Sequence, residues 1–206
     1  LGAELLRTGE LDGRARYQLL TSLVVPRPIG WLSTRDASGG ANLAPFSYFG
    51  ALASSPMLVG VSVGHRGGEP KDSLRNIRHA GAFCVNVVTE ALLEAMNQTA
   101  GEFAPDVDEF ERAGLEIAAG ECVDVPYVAS CPAVLECRLH REVELGDAPN
   151  TLVVGRVEAV RLDERLRRVP GSHFVDAESL RPVGRLYGGA YGLLGEILFL
   201  DRPGSD

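Results

Sequence analysis

The feature that most constrains this chain is the close spacing of its extended runs, broken by turn-forming residues, with helical periodicity rare between them. In Ala133–Leu145, the apolar Leu135, Cys137 and Leu139 alternate with Glu136, Arg138 and His140. A period of two sends apolar groups to one side of a sheet and polar groups to the other, so this run is a strand with one wet face. Further strands are predicted at 29–34, 41–44, 47–52, 57–63, 82–88, 115–118, 151–162 and 196–200. Between the first two, Asp36-Ala37-Ser38-Gly39-Gly40 supplies residues that tolerate the positive φ of a hairpin turn. Helices are fewer. Asp72 is expected to cap one running through Arg78, with Gly81 as its terminator, and Thr89 to cap a second over 90–98. Shorter turns of helix are expected at 109–113 and 176–180, the latter within the loop-like stretch 163–183. Many strands and few helices argue for an antiparallel barrel with attached helices and against a doubly wound parallel sheet. No repeat, low-complexity tract or long linker divides the 206 residues, so 1–206 reads as a single domain.

Charge narrows the partners. The formal net charge is −8, which repels a polyanionic backbone, so neither nucleic acid nor an acidic membrane surface is an expected partner. A bound phosphate would need locally concentrated cations or backbone N–H donors. No stretch is apolar for long enough to span a bilayer, and the opening residues lack a secretory pattern. Cys84, Cys122, Cys131 and Cys137 form no Cys-x-x-Cys pair, and Cys84 reads as a small core residue. A cytoplasmic setting with free thiols is expected. His65, His79, His140 and His173 lack ligand spacing, so no metal site is expected.

Two constellations carry chemistry. Trp31, Ser33, Thr34, Asn42 and Ser47 place hydroxyls, an amide and a large ring in one predicted hairpin. They suit a flat ligand with polar edges, or they decorate a strand whose Trp31 packs in the core. The second is Arg66-Gly67-Gly68-Glu69-Pro70-Lys71-Asp72-Ser73, a glycine-rich loop delivering a helix start beside two cations. Free N–H groups, the positive end of a helix dipole and the two cations make a phosphate seat. The bland alternative is a solvated loop before a helix, with Asp72 turned inward as its cap. Gly60-Val61-Ser62-Val63-Gly64 matches the serine-hydrolase pattern, but that motif needs a strand turning sharply into a helix after the serine. Ser62 lies within an apolar run instead, which leaves a serine hydrolase as a minor alternative. Gly-x-Gly-x-x-Gly is absent, so a nicotinamide would have to dock transiently on another surface.

Taken in order, Pro26–Thr34, Asn42–Phe49, Lys71–Ile77, Phe83–Asn86, Pro132–Leu139, Pro149–Gly155 and Arg181–Leu186 resemble the flavin reductase-like family with the FMN-binding split barrel. The resemblance covers roughly 20–200 and includes the flavoredoxin-like branch. It implies a homodimer with FMN near the subunit interface and NADH or NADPH as transient electron donor. By position, Ser33, Thr34 and Ser47 would contact the ribityl-phosphate region. Asn42 and the backbone of Ala44, Pro45 and Phe46 would meet the isoalloxazine. Arg66, Lys71 and Ser73 would hold the phosphate, with Asp72 beside them. Many members carry Gly-Asp-His before the strand at 151–155, which helps place NADH; here Gly146-Asp147 is followed by Ala148-Pro149-Asn150. The implied activity is NAD(P)H-dependent flavin reduction with electrons passed onward, to a partner monooxygenase or another acceptor. A slow flavoprotein electron carrier is the second reading. No side chain is singled out as a catalytic acid or base.

Overall fold

The computed structural model describes residues 2–101, 103–104, 107–146, 150–200 and 203–204. Its strands are β1 (Arg27–Pro28), β2 (Gly30–Arg35), β3 (Ala41–Phe46), β4 (Phe49–Ser54), β5 (Met57–Arg66), β6 (Glu69–Pro70), β7 (Ala82–Val87), β8 (Ile117–Ala119), β9 (Pro126–Val128), β10 (Ala133–Leu145), β11 (Asn150–Leu162), β12 (Gly184–Arg185) and β13 (Tyr191–Gly192). The helices are α1 (Gly13–Leu23), α2 (Asp72–Ala80), α3 (Leu93–Gln98), α4 (Glu109–Arg112) and α5 (Ala177–Leu180).

The main sheet runs in the order β3-β2-β7-β10-β11-β5-β4, with β6 added on β5, and its pairings are antiparallel. Strands β3 and β4 stand at opposite ends of that order, yet β3 stops at Phe46 and β4 starts at Phe49. Three peptide steps span at most about 11 Å. The sheet must therefore curl until its two edges lie side by side without a hydrogen-bonded ladder between them. The result is a split antiparallel barrel, as the strand-rich sequence predicts.

The core has two parts because the central strands are covered on both faces. Leu32, Phe46, Val59, Val61, Val63, Phe83, Val85 and Val153 fill the barrel, and Leu74 and Ile77 of α2 close it. The alternate positions, Trp31, Leu43 and Cys84, face outward and pack with Met96, Phe110, Val125 and Val128. Gly155 makes room for this packing: a Cβ there would stand 2.4 Å from Cζ of Phe83. Burial pushes the Cys84 thiol up to about 12, so it stays protonated and serves as a small core residue.

Several elements differ from the sequence expectation. Helix α1 was not expected; Asp12 caps it, accepting from Ala15 N at 2.7 Å, but its Tyr17, Leu20 and Leu23 are exposed and give no inward stripe. Gly81 ends α2 in the left-handed region at φ 65°, as expected. Thr89 makes no side-chain cap: a short 3-10 turn at Glu90–Leu92 intervenes before α3. The run at 196–200 is not a strand, because no sheet edge among the described residues pairs with its backbone, and Leu198, Phe199 and Leu200 are exposed. Within 163–183, an Arg168↔Val175 bridge and an Arg167–Asp176 ion pair order part of the expected loop ahead of α5. Among the described residues, no helix is long and apolar enough to cross a membrane.

Candidate functional site

A cleft of about 280 Å³ opens where β3, the β5–β6 hairpin and the first turn of α2 meet. β3 contributes Asn42, Ala44, Pro45 and Phe46 to its wall. The hairpin and helix contribute Arg66, Lys71, Asp72 and Ser73. The two constellations of the sequence, well separated along the chain, thus share one cavity. Gly67 and Gly68, at φ 57° and 87°, form the tight turn that brings the chain back to the start of α2.

Lys71 occupies the cap position of α2 in extended conformation, without a side-chain cap bond. Its carbonyl accepts from Leu74 N at 2.9 Å and Arg75 N at 3.1 Å, so the amides of Asp72 and Ser73 precede the first intrahelical bonds. The Lys71 ammonium lies 5.8 Å from the centroid of the Phe46 ring, and it makes no ion pair among the described residues. Ser73 Oγ accepts from Asn42 Nδ2 at 3.2 Å, which joins the helix start to β3.

Asp72 is not the cap. It is the first helical residue, and its carboxylate pairs with Arg75 one turn on, the neighbour that helical spacing provides. Arg75 also donates to the Pro70 carbonyl at 2.6 Å. The Asp72 charge is therefore matched before any anion arrives. Arg75 itself lines the cleft and was not predicted; its i+3 spacing from Asp72 was the available signal. Glu109 of α4 was also missed. Its carboxylate accepts from Leu43 N at 3.1 Å, and burial raises its pKa, with the charges of Asp72 and Asp108 adding against that bond. Nothing in the local sequence links Glu109 to β3.

Ser33 and Thr34 take a different place from the one expected. Both side chains are fully buried on β2 and line neither this cleft nor its neighbour. Ser33 Oγ accepts from Asn86 Nδ2 at 3.0 Å, and Thr34 Oγ1 accepts from Asn76 Nδ2 of α2 at 3.1 Å. They support the site from behind, because β2 has a neighbouring strand on each side while β3 has only one. Trp31 belongs to the core, its Nε1 donating to Thr99 Oγ1 at 2.9 Å. Ser62 sits in the middle of β5, which runs on to Arg66, so the strand-to-helix turn of a hydrolase nucleophile is absent. Asp147, Ala148 and Pro149 lie outside the described residues.

Ser47 lines a second, smaller cavity of about 170 Å³ that shares Pro45 and Ala100 with the first. Tyr17, Arg27, Arg185 and Tyr191 form much of the rest of its wall. Beyond Asn42 and Asp72 in the other direction, a groove of about 430 Å³ passes Asp36, Asn76, His79 and Glu109. Among the described residues, no group of His, Cys, Asp and Glu is arranged to hold a metal ion.

Comparison with known proteins decides the family. The model of the flavin reductase like domain matches residues 22–176. The chain belongs to the flavin reductase-like family. Nitrilotriacetate monooxygenase component B from Bacillus cereus is similar to this flavin reductase-like protein at 35% identity, over 97% of this chain and 100% of that one, with a TM-score of 0.92. The 2-nitrobenzoate 2-nitroreductase of Pseudomonas fluorescens is 28% identical over 97% and 96%, with a TM-score of 0.85. Flavoredoxin of Desulfovibrio vulgaris is 25% identical over 86% and 91%, with a TM-score of 0.75.

Proposed function

We propose that this chain is an NAD(P)H:flavin reductase-type oxidoreductase that holds FMN in the cleft between β3 and the start of α2. The observation that carries the reading is Lys71, without an ion pair among the described residues, beside the uncommitted amides of a nine-residue helix in a protein of net charge −8. That donor set suits a phosphate ester. Lys71, Arg66, the Ser73 hydroxyl and the first amides of α2 would hold it. Along β3, the Asn42 amide and the Ala44–Phe46 stretch would carry the ring. Beyond the first phosphate the groove presents the carboxylates of Asp36 and Glu109, with Arg75 already paired to Asp72, which favours FMN over FAD.

Bound FMN would supply the redox chemistry, taking hydride from NADH or NADPH and passing electrons onward. The polypeptide's part is to bind, orient and shield it. Thr34 ties β2 to α2 through Asn76, and Ser33 ties β2 to β7 through Asn86, so that the two walls of the cleft keep their spacing. No side chain is assigned as an acid or base. The name of the B. cereus relative supports a partner monooxygenase as electron acceptor. Exposed Tyr17, Leu20, Leu23 and Phe199 support a homodimer, and four free cysteines support a cytoplasmic setting.

The second reading, a flavoredoxin-like carrier with slow nicotinamide turnover, is favoured by Ala148 following Gly146-Asp147, where many members of the family carry histidine. One experiment addresses both: FMN titration of the purified chain, followed by anaerobic NADH and NADPH oxidation with FMN present. Saturable FMN binding with steady nicotinamide oxidation supports the reductase. Binding with reduction only by a protein donor supports the carrier, and absence of flavin binding overturns both.

A further inference from the structure

The second cavity is positively charged in an acidic protein. Arg27 and Arg185 both line it, and they are direct Cα partners across the antiparallel β1·β12 pair. Like charges directly opposite one another in a sheet repel. Among the described residues, neither guanidinium pairs with a carboxylate and no acidic residue lines the cavity. Arg27 is only 6% exposed. It donates to the carbonyls of Thr21 at 2.6 Å, Val24 at 2.7 Å and Leu186 at 2.5 Å, and its Nε has no partner among the described residues. Arg185 donates to Tyr191 Oη and the Gly188 carbonyl, and its guanidinium stacks 4.5 Å from the Tyr191 ring centroid. Carbonyl dipoles satisfy the N–H groups without cancelling the charge. A buried cation without a counter-ion is costly, and an arriving anion offsets that cost.

Shape and wall chemistry narrow the anion. A volume of about 170 Å³ equals the share of five or six waters, which is room for one small ring with a substituent. Tyr17 and Tyr191 supply aromatic walls, and Ile29 and Met96 add apolar surface. Guanidinium matches carboxylate geometry with paired N–H groups. From these features we propose that the cavity is an anion site for a small aromatic acid, its carboxylate held between Arg27 and Arg185. Lys71 and Ser73 line only the larger cleft, but Pro45 lines both cavities and belongs to the β3 stretch that would carry the flavin ring, so the acid would lie beside that ring and its placement there rests on the flavin reading.

The test is calorimetric titration of the flavin-free chain with benzoate, and with benzyl alcohol as an uncharged molecule of similar shape. Benzoate should bind saturably and benzyl alcohol at least about tenfold more weakly, a comparison that needs no substitution. Arg185→Gln should weaken benzoate by about tenfold or more, and Arg185→Lys should retain part of the affinity. FMN affinity, titrated on the same samples, should change by less than about threefold. Absence of benzoate binding, or equal binding of the alcohol, overturns the proposal. So does an Arg185→Gln chain with an unchanged melting temperature and unchanged benzoate affinity. If FMN expels benzoate and Arg185→Gln weakens both alike, the cavity belongs to the flavin and the acid site is rejected. Loss of FMN binding with benzoate binding intact would instead sink the cofactor reading alone.

Discussion

The β2 and β3 strands form one hairpin and carry similar residue types, but they differ in what those residues can reach. Every residue from Gly30 to Thr34 is buried, whereas β3 buries only Leu43 and Phe46 and leaves Ala41, Asn42, Ala44 and Pro45 half-open. The cause is place in the sheet. β2 lies between β3 and β7 with core on both faces, so its hydroxyls must find partners inside the protein. β3 is the last strand in the order and, among the described residues, has no ladder on its far edge, so Asn42 and the Ala44–Phe46 stretch stay available. A serine or threonine in a binding hairpin is thus a ligand contact or a structural bond according to the neighbours of its strand.

The largest effect that sharpens this contrast is on β2. Trp31→Ala removes a fully buried ring and its bond to Thr99, and should cost about 3–5 kcal/mol of stability in chemical denaturation. A loss below about 1 kcal/mol would mean that β2 is not the packed strand of the pair. Next comes the cleft itself. Lys71→Glu replaces the cation at the helix start with an anion and should weaken FMN by about tenfold to a hundredfold, read by fluorescence titration. Its melting temperature should stay within about 2 °C of the parent, since Lys71 makes no ion pair among the described residues. Unchanged FMN affinity would remove the phosphate from the start of α2.

Thr34→Val ranks third. It leaves the Asn76 amide without its acceptor and should cost about 1–3 kcal/mol, with FMN affinity less affected than stability. Asn42→Ala, on the facing rung of β3, should do the reverse. If Thr34→Val lowers FMN affinity at constant stability, the division between the two strands fails and the hydroxyl touches ligand after all.

Much of this architecture was legible. The alternation at Leu135–His140 does mark β10, although Glu136, expected on a wet face, is fully buried and paired with Arg161, and the Asp36–Gly40 turn does join β2 to β3. The glycine-rich loop ahead of α2 was legible as a loop before a helix start; that Gly67 and Gly68 fold it into the β5–β6 hairpin was not. What else escaped depended on contacts distant in sequence. Ser33 and Thr34 read as ligand groups because the partners that bury them, Asn86 and Asn76, come from β7 and α2. Glu109 reaches Leu43 across sixty-six positions. Helix α1 has a good cap but no apolar stripe facing the core, and its C-terminal carbonyls are held by Arg27 from the next strand. Periodicity reports the faces of an element; it is silent about which distant side chain completes them.

The smallest expected effect concerns Glu109, where β3 meets the acidic side of the cleft. Burial, with the charges of Asp72 and Asp108, raises its pKa, against the bond from Leu43 N. Folding therefore favours the protonated carboxyl: the group costs stability when ionised, and that cost fades as pH falls through its folded pKa. The same ionisation opposes a phosphate held by Lys71, while Arg75, paired with Asp72, leaves the opposition only partly screened. Glu109→Gln keeps an acceptor for Leu43 N and removes the charge. It should bind FMN up to about fivefold more tightly than the parent at neutral pH, the scale of a partly exposed charge interaction. The phosphate's own titration affects both proteins equally, so the ratio of their FMN affinities isolates Glu109. That ratio should fall toward one as pH drops into the carboxylate range, whereas a ratio that stays flat across pH would take Glu109 out of the phosphate's field and leave β3 bordered by Asp72 alone.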